Sequence, residues 1–410
     1  MSVEASKPVR IGLLGRGTVG GAFAGLLAER ADAVEAATGR RPEVSGVLTR
    51  GEGDFAQILA GSDLIVELMG GTDPAREYVL AALRAGKPVV TANKQLLAQH
   101  GDELFAVARE AGVQLRFEAA VAAVIPIVRT IQEGFGVTEI SKVFGIVNGT
   151  TNFILTEMAA TGASYDDALA RAQELGYAEA DPTDDVSGAD AAAKMAILAR
   201  LAFHTPVTLS EVTYEGIERV LPDDLAYAKE LGLSLKLLGV AERRDGGVSV
   251  RVFPCFLYKG HPLAPIEGPF NAVMVEAPAI SEVTMSGPGA GGLQTASAVL
   301  GDIVSILAGE APVHETRVEL PIVEDIGSSF YLYLEVADQP GVLARVATVL
   351  GDHEVSVKSV VQRGIGDEAR LVMVIHECLE SRFAAAVEAL GELDELRGPP
   401  RSIRVIEEEY

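Results

Sequence analysis

A lysine that follows a group of acidic residues is the first feature of this chain that could do chemistry. The stretch Ala178–Leu201 reads AEADPTDDVSGADAAAKMAILARL and carries five carboxylates ahead of Lys194. Asp190 and Lys194 are four residues apart, so on a helix they share one face. Leu198 and Leu201 continue that face, which places a lysine on an apolar stripe where lysine is rare unless it is paired.

Two interpretations of Lys194 remain open on this pattern. Burial lowers the pKa of a lysine and a neighbouring carboxylate raises it, so a lysine held between the two effects can transfer protons near neutral pH. A structural ion pair with Asp190 accounts for the spacing equally well. Asp190 also has a plainer interpretation, because Ser187 is a candidate N-cap and an acid three residues later is similar to a capping box.

The segment GLLGRGTVGG predicts a dinucleotide-binding turn, with a purely structural turn as the alternative. Its glycines have GxGxxG spacing after a predicted strand and at the start of a predicted helix. In this pattern Gly15 permits a tight turn, Gly17 lets a pyrophosphate approach the backbone, and Gly20 allows close helix–strand packing. The helix N-terminus adds amide donors and a positive dipole end. The residues predicted to border the cofactor here are Gly15, Gly17, Thr18, Val19 and Gly20.

The end of the second predicted strand, GVLTRGEGD, bears on which dinucleotide binds. NAD enzymes usually place an acid there to hold the ribose 2′-hydroxyl, whereas an arginine suits a 2′-phosphate. Arg50 at this tip therefore favours NADP(H). Glu52 nearby keeps NAD(H) open, and an ordinary solvated arginine is the alternative interpretation.

The segment VVTANKQLLA places Thr91, Asn93 and Lys94 just beyond the end of a strand. In open α/β sheets this edge faces the ligand crevice. Lys94 is therefore predicted to face a ligand, with a surface helix cation as the alternative.

Length and composition limit the classes of protein to consider. The chain has 410 residues, enough for two or three domains, and 48% of them are hydrophobic, which permits a large core. A net charge of −24 makes nucleic acid an unfavourable partner. Two distant cysteines, Cys255 and Cys378, suit a reducing compartment. Neither a signal peptide nor an apolar run long enough for a bilayer is evident, so we expect a cytoplasmic protein with no membrane contact.

The order of predicted elements indicates three domains. Strands and helices alternate over residues 1–128, which predicts an α/β, Rossmann-type doubly wound parallel sheet whose first helix runs to about Arg30. The pattern over residues 129–291 predicts a mixed α+β domain, and residues 292–308 predict an apolar helix after a glycine turn. A linker is predicted at 309–328, followed over 329–410 by a ferredoxin-like βαββαβ domain. The strands expected in the first domain are Val9–Leu14, Val44–Thr49, Leu64–Leu68, Val89–Thr91 and Val113–Phe117.

These motifs together resemble the homoserine dehydrogenase family. The similarity is carried by GRGTVG, VVTANK, GIVNGTTNFIL, LGYAEADPTDDVSGADAAAK and GPGAGG followed by TASAV. The tail DQPGVLARVATVLGDHEVSVKSVVQ resembles the ACT domain that many such enzymes carry. The resemblance implies NAD(P)-dependent interconversion of L-aspartate 4-semialdehyde and L-homoserine, in threonine, methionine and isoleucine biosynthesis. It also implies threonine as an effector at the ACT domain and a homodimer or homotetramer. Residues 129–291 would then be the catalytic and oligomerisation domain, and helix 292–308 would return to the first domain.

The resemblance assigns roles to particular residues. Lys194 would donate a proton to the aldehyde oxygen, Lys94 would assist at the reacting centre, and acids would hold the substrate's ammonium group. The acids implied are Glu179, Asp185 and Asp190. Further contacts with the cofactor are implied at Gly70, Thr91, Lys94, Gly176, Gly289 and Gly291. The regulatory residues implied are Asp338, Gly341, Val342 and Ser356.

One loop departs from the family pattern. This chain reads EAAVAAVIP where the family usually has glycines, so Ala123 and Val124 stand in the glycine-rich part. The family's loop lies beside the nicotinamide and binds a monovalent cation, often sodium, through carbonyls. The ligands implied here are Glu118, Val121, Ala123 and Ile125. A positive φ at Ala123 would cost about 1–2 kcal/mol, and the added side chains could narrow the pocket, but carbonyl ligands need no particular side chain.

Two other functions compete with this one. Another Rossmann semialdehyde dehydrogenase would need a cysteine nucleophile near the nicotinamide, and the positions of Cys255 and Cys378 do not fit well. A catalytically weakened, amino-acid-sensing regulatory homologue is suggested only by the altered Ala122–Val124 loop. Retention of both Lys94 and Lys194 argues against it.

Overall fold

The first part of the chain forms a parallel five-stranded sheet in the order β2-β1-β3-β4-β5, as the alternating pattern predicted. The structure is a computed structural model that describes residues 7–244, 246–310, 317–364, 366 and 369–406. Helices between the strands cover the sheet and bury its apolar runs. The elements are β1 (Val9–Leu14), α1 (Thr18–Thr38), β2 (Pro42–Leu48), α2 (Phe55–Gly61), β3 (Leu64–Glu67), α3 (Ala75–Arg84), β4 (Val89–Thr91), α4 (Lys94–Ala111) and β5 (Leu115–Arg116).

Helix α1 continues well beyond the end expected near Arg30. Ala31 and Val34 are buried and extend its apolar face, and nothing in the sequence breaks the helix there. It ends at Gly39, whose φ of 72° provides the left-handed cap that glycine tolerates. The fifth strand is shorter than expected, because only Leu115–Arg116 pairs with β4.

The second part combines helices with an antiparallel sheet in the order β11-β10-β6-β8-β9, which confirms the predicted α+β class. The short strand β7 pairs with β9 in parallel. The elements are α5 (Ile127–Arg129), β6 (Lys142–Ile146), α6 (Gly149–Thr161), α7 (Tyr165–Glu174), α8 (Thr183–Val186), α9 (Ala189–Phe203), β7 (Thr213–Tyr214), α10 (Pro222–Glu230), β8 (Leu233–Arg244), β9 (Gly247–Tyr258), β10 (Phe270–Ala277), β11 (Ser281–Pro288) and α11 (Gly292–Leu307).

The capping box expected at Ser187 and Asp190 is wrong. Ser187 follows the last turn of α8, and α9 begins after Gly188, whose φ is 87° and whose cap has no side-chain hydrogen bond. The positive φ at Gly188 turns the chain sharply between the two helices. The Asp190 carboxylate therefore does not cap α9, and it points toward Lys94 and Lys194 instead.

The third part has the predicted βαββαβ order, and its sheet order β15-β12-β14-β13 is ferredoxin-like. Strand β15 also pairs in parallel with β9, so that the two sheets form one ten-stranded sheet. The sequence had predicted a separate small domain without this join. The elements are β12 (Gly327–Glu335), α12 (Val342–Asp352), β13 (Val357–Arg363), β14 (Arg370–Leu379), α13 (Glu380–Gly391) and β15 (Arg401–Ile406).

Helix α11 lies against α1, and Val299 and Ile303 share a buried cluster with Phe23 of α1. Helix α11 therefore packs on the first part of the chain, although it follows the second part in sequence. Residues 311–316 of the predicted linker and residues 407–410 of the predicted third domain lie outside the described part of the chain. Among the described residues, no helix has both the length and the apolar composition to cross a bilayer.

Candidate active site

Two lysines from different domains meet on one carboxylate. Lys94 is the first residue of α4, and its Nζ lies 2.9 Å from Oδ1 of Asp190. Lys194, one turn along α9 from Asp190, has its Nζ 2.7 Å from Oδ2 of the same side chain. Helices α4 and α9 pack against each other, which brings together residues 96 positions apart in sequence. The sequence pattern predicted the Asp190–Lys194 pair but not the contact with Lys94.

Electrostatics keep this cluster charged. Burial alone would raise the pKa of Asp190, but the adjacent Lys194 and Lys94 hold that pKa below its usual range. Burial would likewise lower the pKa of Lys94, but Asp190, with Asp185 and Asp184 behind it, raises that pKa above its usual value. The site therefore presents cations whose charges are balanced by a buried anion.

The Lys194 ammonium group is held in a fixed direction. Besides Asp190, it donates a hydrogen bond of 2.8 Å to the carbonyl oxygen of Val147, at the end of β6. Its side chain is only 12% exposed. An ammonium group has three N–H donors, so one donor remains for a substrate atom.

Asn148 fixes the acids around the lysines. Its side-chain Nδ2 donates to Oδ1 of Asp185 at 2.6 Å and to Oδ2 of Asp190 at 2.8 Å. Its Oδ1 accepts the backbone N–H of Thr151 and so caps α6. Burial, followed by repulsion from Asp190, raises the pKa of Asp185. Asn148 therefore holds two like charges at a spacing they would otherwise avoid.

The third predicted acid lies apart from this cluster. Glu179 is exposed on the segment after α7, and among the described residues its carboxylate has no ion pair. The same segment is fixed to the start of α6, because Thr150 Oγ1 donates to the carbonyl oxygen of Tyr177 at 2.7 Å. Gly176, at the start of this segment, has a φ of 75° and open space where a Cβ would lie.

The glycine motif has the geometry that its three positions predict. Gly15 has a φ of 95°, and a Cβ there would lie 2.5 Å from the carbonyl oxygen of Leu68. A Cβ on Gly20 would lie 2.1 Å from the carbonyl oxygen of Gly15, whereas a Cβ on Gly17 would meet nothing within 4 Å. Helix α1 begins at Thr18 with no side-chain cap and no acid in its first turn. Free amides beside open space fit a pyrophosphate.

Other predicted cofactor residues surround this turn. Gly291 has a φ of 129° and precedes α11, and a Cβ on the next residue, Gly292, would lie 3.2 Å from the Thr18 side chain. The turn at Gly289–Gly291 is therefore adjacent to the start of α1. Gly70, with a φ of 73°, lies in the loop after β3.

The residue predicted to contact a 2′-phosphate lies on the surface, in the turn after β2. Arg50 is exposed in a turn closed by hydrogen bonds between Thr49 and Glu52, and no described residue pairs with it. Its guanidinium is therefore available to a ligand.

The altered loop contains the backbone strain that a positive φ at Ala123 produces. Ala123 has a φ of 50°, and its side chain is buried. Val124 and Ile125 lie against β11, where a Cβ on Gly287 would come within 3.4 Å of Val124. The larger side chain at Val124 is accommodated because residue 287 has none. The strain at Ala123 is about 1–2 kcal/mol.

Hydrogen bonds hold the ends of this loop. The Glu118 carboxylate accepts the backbone N–H groups of Val128 and Arg129 at 2.8 and 3.0 Å. The carbonyl oxygens of Val121 and Ile125 each accept one nearby amide. Among the described residues, no group of three or more His, Cys, Asp or Glu side chains is placed to hold a metal.

The predicted regulatory residues mostly line one cavity in the third part. A cavity of about 350 Å³ is lined by residues 336–343, Gln362 and Leu371, and so includes Asp338, Gly341 and Val342. Gly341 has a φ of 92° and precedes α12 without a side-chain cap. Ser356, between α12 and β13, is not among the residues that line it.

Neither cysteine can act as a nucleophile in this cluster. Cys255 is buried within β9, and burial raises the pKa of its thiol to about 12. Cys378 lies at the end of β14 in the third part. The geometry therefore gives no support to a thiol-dependent semialdehyde dehydrogenase.

Family models match most of the chain. The homoserine dehydrogenase model matches residues 126–304, that family's NAD-binding-domain model matches 15–118, and the ACT-domain model matches 330–395. A homoserine dehydrogenase from Corynebacterium glutamicum is 43% identical over 93% of this chain and 92% of its own. The chain belongs to the homoserine dehydrogenase family and is an oxidoreductase. The homoserine dehydrogenase of Neisseria gonorrhoeae is 39% identical over 97% of this chain and 99% of its own.

Solved homoserine dehydrogenases share this fold. The structure from Thiobacillus denitrificans has a TM-score of 0.93 and 38% identity, covering 98% of this chain and 99% of that one. A Staphylococcus aureus structure has a TM-score of 0.79 and 31% identity, covering 98% and 99%. A hyperthermophilic archaeal homoserine dehydrogenase solved in complex with NADPH has a TM-score of 0.65 and 27% identity, covering 75% and 100%. The NAD-binding-domain match and the NADPH complex together support a nicotinamide cofactor for this chain.

Sequence reasoning missed two groups in the cluster. Asn148 lies in the segment GIVNGTTNFIL, which contributed only to the resemblance, although an asparagine directly before an apolar helix is a common N-cap. The Val147 carbonyl has no sequence signal, because any residue type supplies a carbonyl.

Proposed function

We propose that this homoserine dehydrogenase interconverts L-aspartate 4-semialdehyde and L-homoserine with NADP(H), and that Lys194 donates the proton. The observation that carries the proposal is the fixed Lys194 ammonium, which has two donors engaged and one free. Reduction of an aldehyde builds negative charge on its oxygen, and a positioned acid there is worth about 10²–10⁴-fold in rate. When bound, the nicotinamide supplies the hydride.

Asp190 binds the two lysines rather than the substrate's ammonium group. Both of its oxygens are already engaged, one by Lys94 and the other by Lys194 and Asn148. A further cation would have to displace one of these partners. Asp190 therefore orients both ammonium groups, so that Lys94 can support the charge developing at the reacting oxygen.

The substrate's ammonium group is assigned to Asp185 and Glu179. Asp185 has one oxygen engaged by Asn148 and is only partly buried, so it retains acceptor capacity toward the cleft. Glu179 is exposed and unpaired within the described part of the chain. Either carboxylate can complement a cationic amino group.

NADP(H) is favoured over NAD(H) by Arg50. Its guanidinium is exposed beyond β2, where a 2′-phosphate would lie in this fold. A guanidinium presents a fork of donors that matches a phosphate. The open amides at Gly17 and the start of α1 suit the pyrophosphate of either dinucleotide.

A sodium ion bound by the loop is a further part of the proposal. The Glu118 carboxylate is engaged by two amides, so the predicted ligands would act through carbonyl oxygens. A carbonyl has two lone pairs, and those of Val121 and Ile125 each have one used. A set of neutral oxygens suits a monovalent cation. Replacing sodium in the buffer by a large organic cation should lower activity if the site is used.

Threonine regulation and oligomerisation are proposed from the third part. The cavity at Asp338–Val342 offers the uncapped N-terminus of α12 to a ligand carboxylate. Strand β13 is an edge of the sheet, and Val360 and Val361 on it are 42% and 40% exposed. An exposed edge strand is prone to pair with another chain. This supports a homodimer or homotetramer. We further propose that the enzyme serves threonine, methionine and isoleucine biosynthesis in the cytoplasm.

The test is a spectrophotometric assay of the purified protein. L-homoserine with NADP should yield reduced cofactor, and L-aspartate 4-semialdehyde with NADPH should consume it. L-2-aminobutyrate, which lacks the hydroxyl group, is the control and should give no signal. Protein that binds NADPH but oxidises homoserine with neither NADP nor NAD would refute the proposed activity and favour a sensor.

A further inference from the structure

A buried acid with no cationic partner lies at the ligand edge of the first sheet. Glu67 is the last residue of β3 and is 0% exposed. Burial raises the pKa of its carboxyl group. No described lysine, arginine or histidine pairs with it. A buried polar group is costly unless it is hydrogen-bonded, so the partners of Glu67 indicate what it does.

The Glu67 side chain joins the loops that follow two neighbouring strands. Its Oε1 accepts the backbone N–H of Met69 at 2.7 Å, within the loop after β3. Its Oε2 accepts the hydroxyl of Thr91 at 2.6 Å, at the end of β4. Glu67 and Thr91 are direct neighbours in the sheet. One side chain thus fixes both loops at the crevice edge.

The network continues to the start of α4. Thr91 Oγ1 accepts the backbone N–H of Asn93 at 3.0 Å, and Asn93 Oδ1 caps the helix by accepting the N–H of Leu96 at 3.1 Å. Asn93 Nδ2 donates to the carbonyl oxygen of Gly71 at 2.6 Å. Lys94, the next residue, reaches Asp190. The position of Lys94 therefore depends on a cap that is fixed from β3.

The carboxylate is suited to this role where an amide is not. Both oxygens of Glu67 accept: Oε1 from the Met69 N–H and, at 3.5 Å, from Asn93 Nδ2, and Oε2 from the Thr91 hydroxyl. A glutamine would present only one acceptor oxygen. Its NH₂ would face either the Met69 N–H or the Thr91 hydroxyl, and in the second case the hydroxyl would have to reverse its direction.

We propose that Glu67 is a positioning residue that fixes the Met69–Gly71 loop and the start of α4, and through them the Lys94–Asp190 pair. Its effect on turnover rests on the proposed function. Its effect on local structure does not.

The first measurement compares Glu67→Gln with a matched control, Asp224→Asn. Asp224 is also a buried acid, but it pairs with Arg401 at the junction with the third part. Glu67→Gln should lower kcat about 10- to 100-fold, since small misplacements of positioned groups have effects of this size. The KM for homoserine should change much less. Asp224→Asn should keep kcat. Equal kcat in wild type and Glu67→Gln would overturn the proposal.

The second measurement is hydrogen–deuterium exchange, which needs no turnover. Glu67→Gln should speed exchange in the peptides that cover 68–72 and 94–98 and leave α12 unchanged. Exchange that rises uniformly, as in a generally destabilised protein, would overturn the positioning role. If wild type shows no homoserine oxidation, the proposed function fails while this measurement still decides the role of Glu67.

A second pair of variants covers the case in which Glu67→Gln does not fold. Thr91→Val removes the hydroxyl that Glu67 accepts and should reproduce both the kcat loss and the local exchange. Thr91→Ser retains the hydroxyl and should restore both. Equal behaviour of the valine and serine variants would show that the hydrogen bond has no such role.

Discussion

Replacing Lys194 with methionine removes its ammonium group and keeps an unbranched side chain. Because the Lys194 side chain is only 12% exposed, an unbranched replacement of similar length is needed to fill its space. Loss of a positioned general acid costs about 10²–10⁴-fold. We therefore expect kcat for reduction of L-aspartate 4-semialdehyde to fall at least ~100-fold, which corresponds to about 2.7 kcal/mol in the activation barrier.

The structure also predicts how little Lys194→Met should destabilise the fold. Removing one partner of a buried ion pair usually costs about 3–5 kcal/mol because the other charge is left alone. Here Asp190 keeps Lys94 at 2.9 Å and Asn148 at 2.8 Å. The Val147 carbonyl keeps Asn271 Nδ2 at 3.4 Å. The loss in unfolding free energy should therefore be about 1–3 kcal/mol.

Steady-state rates and denaturant unfolding of the same preparations test both numbers. Lys94→Met is the matched control, since it removes the other partner of Asp190 and should raise KM or lower kcat by less. A Lys194→Met enzyme that unfolds early but reduces the aldehyde at a near-normal rate when folded would refute the assignment. Lys94 would then be the better candidate for the proton donor.

Three further predictions concern other parts of the molecule. Arg50→Ala should lower kcat/KM for NADP and barely affect NAD; equal losses with both cofactors would show that Arg50 does not contact the 2′-phosphate. Gly341→Val, at a φ of 92°, should abolish inhibition by threonine, measured against the rate without threonine; unchanged sensitivity would place the effector elsewhere. His261 is buried, which lowers its pKa to about 4 from 6.5. In the unfolded chain His261 has its ordinary pKa, so it binds a proton at a higher pH than it does in the folded chain. His261 therefore contributes stability above pH 6.5 that is lost between pH 6.5 and 4, at up to about 1.4 kcal/mol per pH unit. His261→Asn should flatten that part of the unfolding profile, and an unchanged slope would argue against this linkage.

Local features of this chain were predictable because their causes are local. The spacing of Gly15, Gly17 and Gly20 required one turn geometry, and the structure has it. The apolar face of Lys194 followed from helical periodicity. Ser187 was misinterpreted for an equally local reason, since the positive φ at Gly188 ends one helix and begins another within three residues.

Features that depend on packing between distant segments were not predictable. The pairing of β15 with β9 depends on how two sheet edges meet, and neither strand's pattern indicates its neighbour. The pairing also affects how regulation can be tested. Deleting the chain from about Ser329 would uncover the β9 edge, so a loss of inhibition in that truncation could not be separated from damage to the catalytic sheet. A point substitution at Gly341 avoids this ambiguity.

Asp190 shows how geometry refines a role that a resemblance only suggests. A carboxylate near an amino-acid substrate is naturally assigned to its ammonium group, and the resemblance implied this for Asp190. The structure places three donors on that carboxylate, two of them cationic, and holds its pKa low. An anion so engaged gains little from a fourth partner, whereas Asp185 next to it has a raised pKa and fewer partners, so that a substrate cation would stabilise its charged form. The proposed roles of the two aspartates therefore differ: Asp190 orients the two lysines, and Asp185 accepts the substrate's ammonium group.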